Sequence, residues 1–139
     1  MLHIIKLAVG VSDIAHLQSI QAQRLLTDPP LRHWTRNSPR RVAEVIDGGS
    51  MYWVISGALL VRQRITDIVA DTWDDGSACV AFVLDPELVP VEGRPTKAFQ
   101  GWRYLNAADA PPDITRVAAA GADRLPPEMA AELRALGLL

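Results

Sequence analysis

The chain has 139 residues, 49% of them hydrophobic and 22% charged, with a formal net charge of -2. A chain of that size suits one domain burying roughly two thirds of its unfolded surface, and the near-neutral balance excludes both a globally basic nucleic-acid coat and a disordered charged tail. The single cysteine, Cys79, excludes a disulfide framework or multi-cysteine zinc site and fits a reducing, cytoplasmic setting.

MLHIIKLAVG has four or five apolar residues in a row and no cleavable small-residue motif, so it reads as a first strand and not as a signal peptide. No run approaches the roughly 20 apolar residues of a bilayer span, and no membrane association is expected. Ser12 can cap a first helix with Asp13 in its first turn. Ile14, Leu17 and Leu25 fall near one face of it, and Pro29 and Pro30 end it near Leu26. Asp28 to Asn37 reads as a loop. Ser38-Pro39 then sets a cap and a proline at the first helical position. Val42, Val45 and Ile46 give a second helix of about two and a half turns, closed by Gly48-Gly49.

From Met51 the chemistry turns to strands. MYWVIS and LLVRQRITDIV are joined tightly at Gly57-Ala58, and Asp74-Asp75-Gly76-Ser77 is a hairpin signal into ACVAFVL. A proline-bearing loop is expected from Pro90 to Pro95, then FQGWRYL as a last strand. Pro126 to Leu136 forms a terminal helix with an acidic first turn and Arg134 near its end. The expected fold is α+β, a single domain over 1–139. It would be a curved antiparallel sheet or partly open small barrel with two N-terminal helices, residues 118–139 being a C-terminal helical extension.

Charge is segregated along the chain. From Arg24 to Arg41 five arginines and His33 face one acid, Asp28, and from Arg94 to Tyr104 there are Arg94, Lys97 and Arg103 with no acid. Between them, nine acids face only Arg62 and Arg64. If folding joins the basic stretches they make a positive face; if it interleaves them with the acids the field cancels.

Arg40 and Arg41 fall in the first turn of the second helix, where free N–H groups and the helix dipole welcome an anion and Arg36 lies just upstream. Strand alternation puts Arg62, Arg64 and Thr66 on one face, with the two guanidinium groups about 7 Å apart. They need a shared anion, open water or acids such as Asp67 or Asp71. Trp34 and Trp102 are the more open tryptophans, whereas Tyr52 and Trp53 read as core, as does Cys79. Catalytic patterns are scarce. The three histidines have no metal-binding spacing, there is no GxSxG or GxGxxG, and no metal or cofactor is expected. Gly48-Gly49-Ser50 reads as a helix terminator, and Asp85 and Glu87 as turn residues.

The order HWTRNSPRRVAEVIDGGSMYWVISG, VRQRITDI and LDPELVPVEGRPTKAFQGWRYLNAADAP resembles a family of small bacterial proteins of unknown function, from the start to about Pro112. The blocks DGGSMYWVI and FQGWRYL carry the resemblance. It implies no catalytic residues, and the segment from Ala118 onward departs from the pattern. In architecture the chain is also similar to the small PUA-like and ASCH-type barrels, a resemblance that implies an RNA or nucleotide partner.

The expected function is a binding module for nucleic acid or a nucleotide. Arg36, Arg40, Arg41, Arg62, Arg64 and Arg103 would contact phosphates, and Trp34, Trp102 or Tyr104 would stack on a base. Two other readings stay open. One is a small enzyme acting on a phosphorylated or carboxylated metabolite with Asp67, Asp85 or His33 as base, and the other a protein-interaction adaptor anchored by the tryptophans.

Overall fold

A computed structural model describes residues 1–114, so the terminal helix expected over Pro126 to Leu136 lies outside the described residues. The elements are β1 (Leu2–Leu7), α1 (Ile14–Thr27), β2 (Arg32–Thr35), α2 (Val42–Ile46), β3 (Ser50–Ile55), β4 (Ala58–Thr72), β5 (Ala78–Leu84), β6 (Val89–Pro95) and β7 (Trp102–Asn106), followed by one 3-10 turn, Ala107–Asp109. Asp13, not Ser12, caps α1, its carboxylate accepting the His16 N–H at 2.7 Å.

Two segments expected as loops are strands. Arg32–Thr35 carries two rings and a threonine and pairs antiparallel with β5, a partner far off in sequence. Val89–Pro95 pairs with β4 despite its prolines, which an edge strand tolerates. Ser56 and Gly57 both take positive φ, 51° and 83°, making the two-residue turn that joins β3 to β4. The Asp74 to Ser77 hairpin forms as expected, with the Asp75 carboxylate accepting from the Ser77 N–H at 2.9 Å.

The second helix is shorter than its cap and stripe suggested. It runs only from Val42 to Ile46, with Arg41 as its cap. The Arg40 and Arg41 N–H groups, expected to be free for an anion, instead donate to the Tyr104 hydroxyl at 2.9 and 3.2 Å.

The strands form one open sheet in the order β2-β5-β4-β3-β1-β7, with β6 paired to the first part of β4 on the side away from β3. It is not wholly antiparallel, because β1 and β3 run parallel, with α1 in the long connection that a parallel pair requires. The fifteen-residue β4 serves both halves. Its first part pairs with β3 and β6 and its second with β5, the register shifting between Ile65 and Asp67.

The sheet is strongly curled. Phe82 on β5 and Trp102 on β7 are four strand spacings apart in the order, about 19 Å on a flat sheet, yet their ring centroids lie 6.4 Å apart. Trp102 Nε1 also donates to the Asn37 carbonyl, just past β2, at 2.8 Å. Together with the Tyr104 bonds, this clasps the two ends of the described sheet.

Inside the curl lie Ile4, Met51, Trp53, Val61, Ile65 and Phe82, capped by Ile14 and Leu17 of α1. On the convex face a smaller cluster, Tyr52, Val54, Leu59 and Val91, is covered by Ile5, Leu7, Phe99 and Leu105. Cys79 is a buried strand thiol, as expected.

The join between α2 and the sheet is the tightest backbone approach. A β-carbon on Gly49 would fall 2.2 Å from the Val45 carbonyl oxygen and 2.3 Å from that of Leu2. Both obstacles are backbone and cannot turn aside. Gly49→Ala should therefore destabilise the fold by at least about 2 kcal/mol, read as a lower urea midpoint; an unchanged midpoint would show the approach to be looser.

Candidate functional site

Gln63 lies in the middle of β4 with its side chain fully buried among apolar residues. An amide there must find partners, and it finds them on three segments. Its Nε2 donates to Gln21 Oε1 on α1 at 2.8 Å and to the Asp85 carbonyl at 2.8 Å. Its Oε1 accepts from Gln21 Nε2 at 2.9 Å and from Trp53 Nε1 at 3.1 Å. This network fixes α1 against the sheet.

Beside it opens a cleft of about 160 Å³ between α1, the end of β1, and β2. Its walls are apolar (Leu17, Leu31, Trp53 and Leu84 among them), and its polar groups are Lys6, Gln21, Arg24, Arg32 and His33. Each cation arrives for a local reason. Lys6 is the third inward residue of β1 after Leu2 and Ile4, flanked across the strands by Trp53 and Trp102. Arg24 follows Leu17 and Gln21 on the sheet-facing side of α1, at helical spacing. His33 meets Trp53 edge-on, ring centroids 5.1 Å apart. A shallower hollow of about 300 Å³ shares Arg24 and Arg32 and adds Asp28 and Trp34.

The cleft's field is positive. Arg32 is paired with Asp28 at 2.6 Å, but among the described residues no carboxylate lines the 160 Å³ cleft. Burial, then Lys6 and then Arg24, push the His33 imidazole down to about 4, and burial also lowers the Lys6 ammonium. Two buried nitrogens, Arg32 Nε and His33 Nε2, have no hydrogen-bond partner among the described residues.

The residues expected to bind a ligand divide between places. Tyr52, Ile5 and Arg103 line up with Arg62 in one row across β4, β3, β1 and β7, which puts Arg62 and Arg103 on the convex face with β3 and β1 between their strands. Arg62 is held by Asp113 through two bonds of 2.7 Å, neither of the expected partners Asp67 and Asp71 taking part. Arg64 is exposed, as alternation predicts, and Arg103 stacks over Phe99 at 4.8 Å.

Trp102 and Tyr104 face into the curl, opposite Arg103, and make the clasp. Arg41 pairs with Glu44, one bond measuring 2.7 Å, while Arg36 and Arg40 are exposed nearby. The convex arginines and those before α2 do not converge. Trp34 borders the cationic hollow with Arg32 over its ring at 5.1 Å, and its Nε1 donates to Asp71 at 2.9 Å. Of the three candidate bases only His33 reaches the cleft; Asp67 and Asp85 accept backbone N–H groups, those of Ile68 and Glu87. Lys6, Arg24 and Arg32 were not singled out from the sequence. The signals were there, in a lysine on the inward alternation of LHIIKL and an arginine in register with Leu17 and Gln21.

Residues 4–139 match a family described as "Protein of unknown function (DUF1489)". The chain belongs to the DUF1489 family. The match continues past Pro112 and includes the segment from Ala118 that was expected to depart from the family pattern. No curated protein matches this DUF1489 chain. Among solved structures it is similar to an ASCH protein variant from Zymomonas mobilis, at 8% identity and a TM-score of 0.47, over 85% of this chain and 95% of that one. Among the described residues no helix is long and apolar enough to cross a membrane, and no three His, Cys, Asp or Glu side chains gather around a possible metal position.

The buried imidazole links stability to pH. Unfolded, His33 holds its proton up to about pH 6.5; folded, only up to about pH 4. Between those values the unfolded chain binds more protons, so this contribution is complete above pH 6.5 and lost as pH falls toward 4, on the order of 3 kcal/mol in all. His3, lowered chiefly by burial, acts in the same direction. Urea titrations across this range should show stability rising with pH and a shallower rise in His33→Gln; identical slopes would place His33 in water.

Proposed function

We propose that this DUF1489 protein binds nucleic acid or a nucleotide, seating a phosphate in the cleft between α1, β1 and β2. The observation that carries this reading is convergence. Lys6, Arg24 and Arg32 come from three elements to line one cleft, and no carboxylate is among the described residues that line it. In a chain with a net charge of -2 such a concentration of cations at a concave site is a local device for an anion.

Trp34 gives the site its second component. Its ring borders the outer hollow, where a base can stack beside the phosphate seat, a contact contributing roughly 1 to 3 kcal/mol per base. A single strand suits this arrangement, since its unstacked bases can reach an aromatic side chain. The exposed Arg36, Arg40, Arg64 and Arg103 are assigned to outlying backbone contacts, and Arg41, Arg62, Trp102 and Tyr104 to holding the frame around them.

One observation favours the enzyme reading as a second possibility. His33 is neutral at pH 7 with Nε2 unpartnered at the cleft, the state a general base requires. Hydrolysis of a phosphorylated substrate that disappears in His33→Gln would support it.

Titration of tryptophan fluorescence with mixed-sequence oligonucleotides should show saturable quenching at low salt that weakens steeply as salt rises. Arg24→Ala and Lys6→Ala should each weaken binding and reduce the log–log salt slope by about 1. The same substitutions at Arg62 or Arg103 should change it less. No quenching at low salt, or equal effects from both sets, overturns the reading.

A further inference from the structure

Resting on that reading, we propose that the cleft takes a terminal phosphate monoester and not an internal phosphodiester, and that His33 gains a proton as the phosphate enters and donates it from Nε2 to a phosphate oxygen.

Charge is the first support. Arg32 has Asp28, and among the described residues lining the 160 Å³ cleft no carboxylate stands beside Lys6 and Arg24. Two uncompensated cations match a monoester, whose charge is about -1.5 to -2 at neutral pH. An internal diester brings only a single charge. Shape is the second: the deeper space, about 160 Å³, is walled by α1, β1, β2, β3 and β5. A phosphate at a chain end can enter headfirst, whereas an internal one must bring strand with it on both sides.

The third support is the pair of buried nitrogens, Arg32 Nε and His33 Nε2, left without partners on adjacent residues of β2. An oxyanion in the cleft offers both an acceptor. Arg32 Nε already carries its hydrogen; neutral His33 must take up a proton before Nε2 can donate if that nitrogen is the bare one. The charged groups facing His33 are Lys6 from β1, Arg24 from α1 and Arg32 from β2, with Asp28 joined to Arg32, while β3 and β5 present Trp53 and Leu84. Burial, then Lys6 and then Arg24, hold the imidazole at about 4. A dianion offsets the cations, so imidazolium and ligand stabilise each other, and affinity must rise as pH falls.

Sulfate is the probe that isolates this linkage, because it keeps its double charge across the range in which a phosphate monoester takes up a proton, near pH 6. Sulfate should quench Trp53 saturably and bind about tenfold tighter at pH 5.5 than at pH 7.5. Its saturation should move the His33 ring-proton NMR titration upward by about two and a half pH units, from about 4 to about 6.5, the shift that a tenfold change in affinity requires. His33→Gln should lose the pH dependence, and Arg24→Gln, at an exposed helix position, should weaken sulfate binding at both pH values. Short oligonucleotides with a 5′-phosphate or a 3′-phosphate should bind at least about tenfold tighter than the same strand with hydroxyl ends, one charge-assisted contact being decisive.

Oligonucleotide binding indifferent to the terminal phosphate overturns this inference while leaving nucleic-acid binding intact. Sulfate and monoester binding without any oligonucleotide binding does the reverse. Sulfate affinity that is flat with pH, with an unmoved His33 titration, removes the proton from the proposal.

Discussion

The buried amide of Gln63 is the constraint on which the rest of this molecule depends. A strand interior that encloses Val61 and Ile65 beside an amide demands four polar contacts from places otherwise unrelated in sequence. It receives them from α1, from β3 and from the bend after β5. Each contact left unmade would cost about 1 to 3 kcal/mol of desolvation, so the network admits one seating of α1. That seating brings Gln21 down onto the sheet and Arg24, one turn further, to the mouth of the cleft. Trp53 is caught in the same network and forms the wall against which His33 packs. The cleft is what remains between a helix fixed by an amide ladder and a sheet edge that curls away from it.

The arginines of this chain fall into two physical classes. Arg62, held by both oxygens of Asp113 and by Ser50, is a fastener for the chain leaving the sheet, and its guanidinium is held further in the charged state by that carboxylate. Arg41 belongs with it, paired to Glu44 and lying 5.9 Å over the Tyr104 ring. Lys6 and Arg24 have no such neutralising partner among the described residues lining the cleft; burial lowers the proton affinity of Lys6, and burial, Lys6 and Arg24 together lower that of His33. A fold that holds like charges together at a half-buried concavity keeps a standing electrostatic debt, which an anion cancels.

What the sequence showed about the fold was governed by the range of the interactions involved. Strand pairs joined by short turns were plain, because β-branched and aromatic runs meet at Ser56-Gly57 and at Asp75-Gly76, whose backbone chemistry is local. β2 and β6 were hidden. The strand Arg32–Thr35 is four residues long and extended only because β5 offers it hydrogen bonds, and Val89–Pro95 carries two prolines that argue against a strand unless its position at an edge is known. The parallel pairing of β1 with β3 is likewise a property of the whole chain. For the site, the basic stretch from Arg24 to Arg41 and the open position of Trp34 could be seen in advance, but its division could not. Arg24, Arg32 and His33 turn to the cleft while Arg40 and Arg41 are taken up at the far edge by one tyrosine.

That tyrosine shows what the rings of FQGWRYL do within the fold. A segment with rings around a glycine looks like a ligand's bed, and ring chemistry does not distinguish a base from a neighbouring strand. Here the rings serve the fold's own closure. Trp102 lies edge-on to both Phe82 and Tyr104, and its indole N–H is spent on Asn37. Because β2 and β7 share no backbone ladder, these side chains set how far the open sheet curls, and with it the distance between Lys6 on β1 and His33 on β2. The aromatic segment thus bears on the width of the cleft, with Trp102 beside Lys6 on the neighbouring strand and its indole bonded past β2.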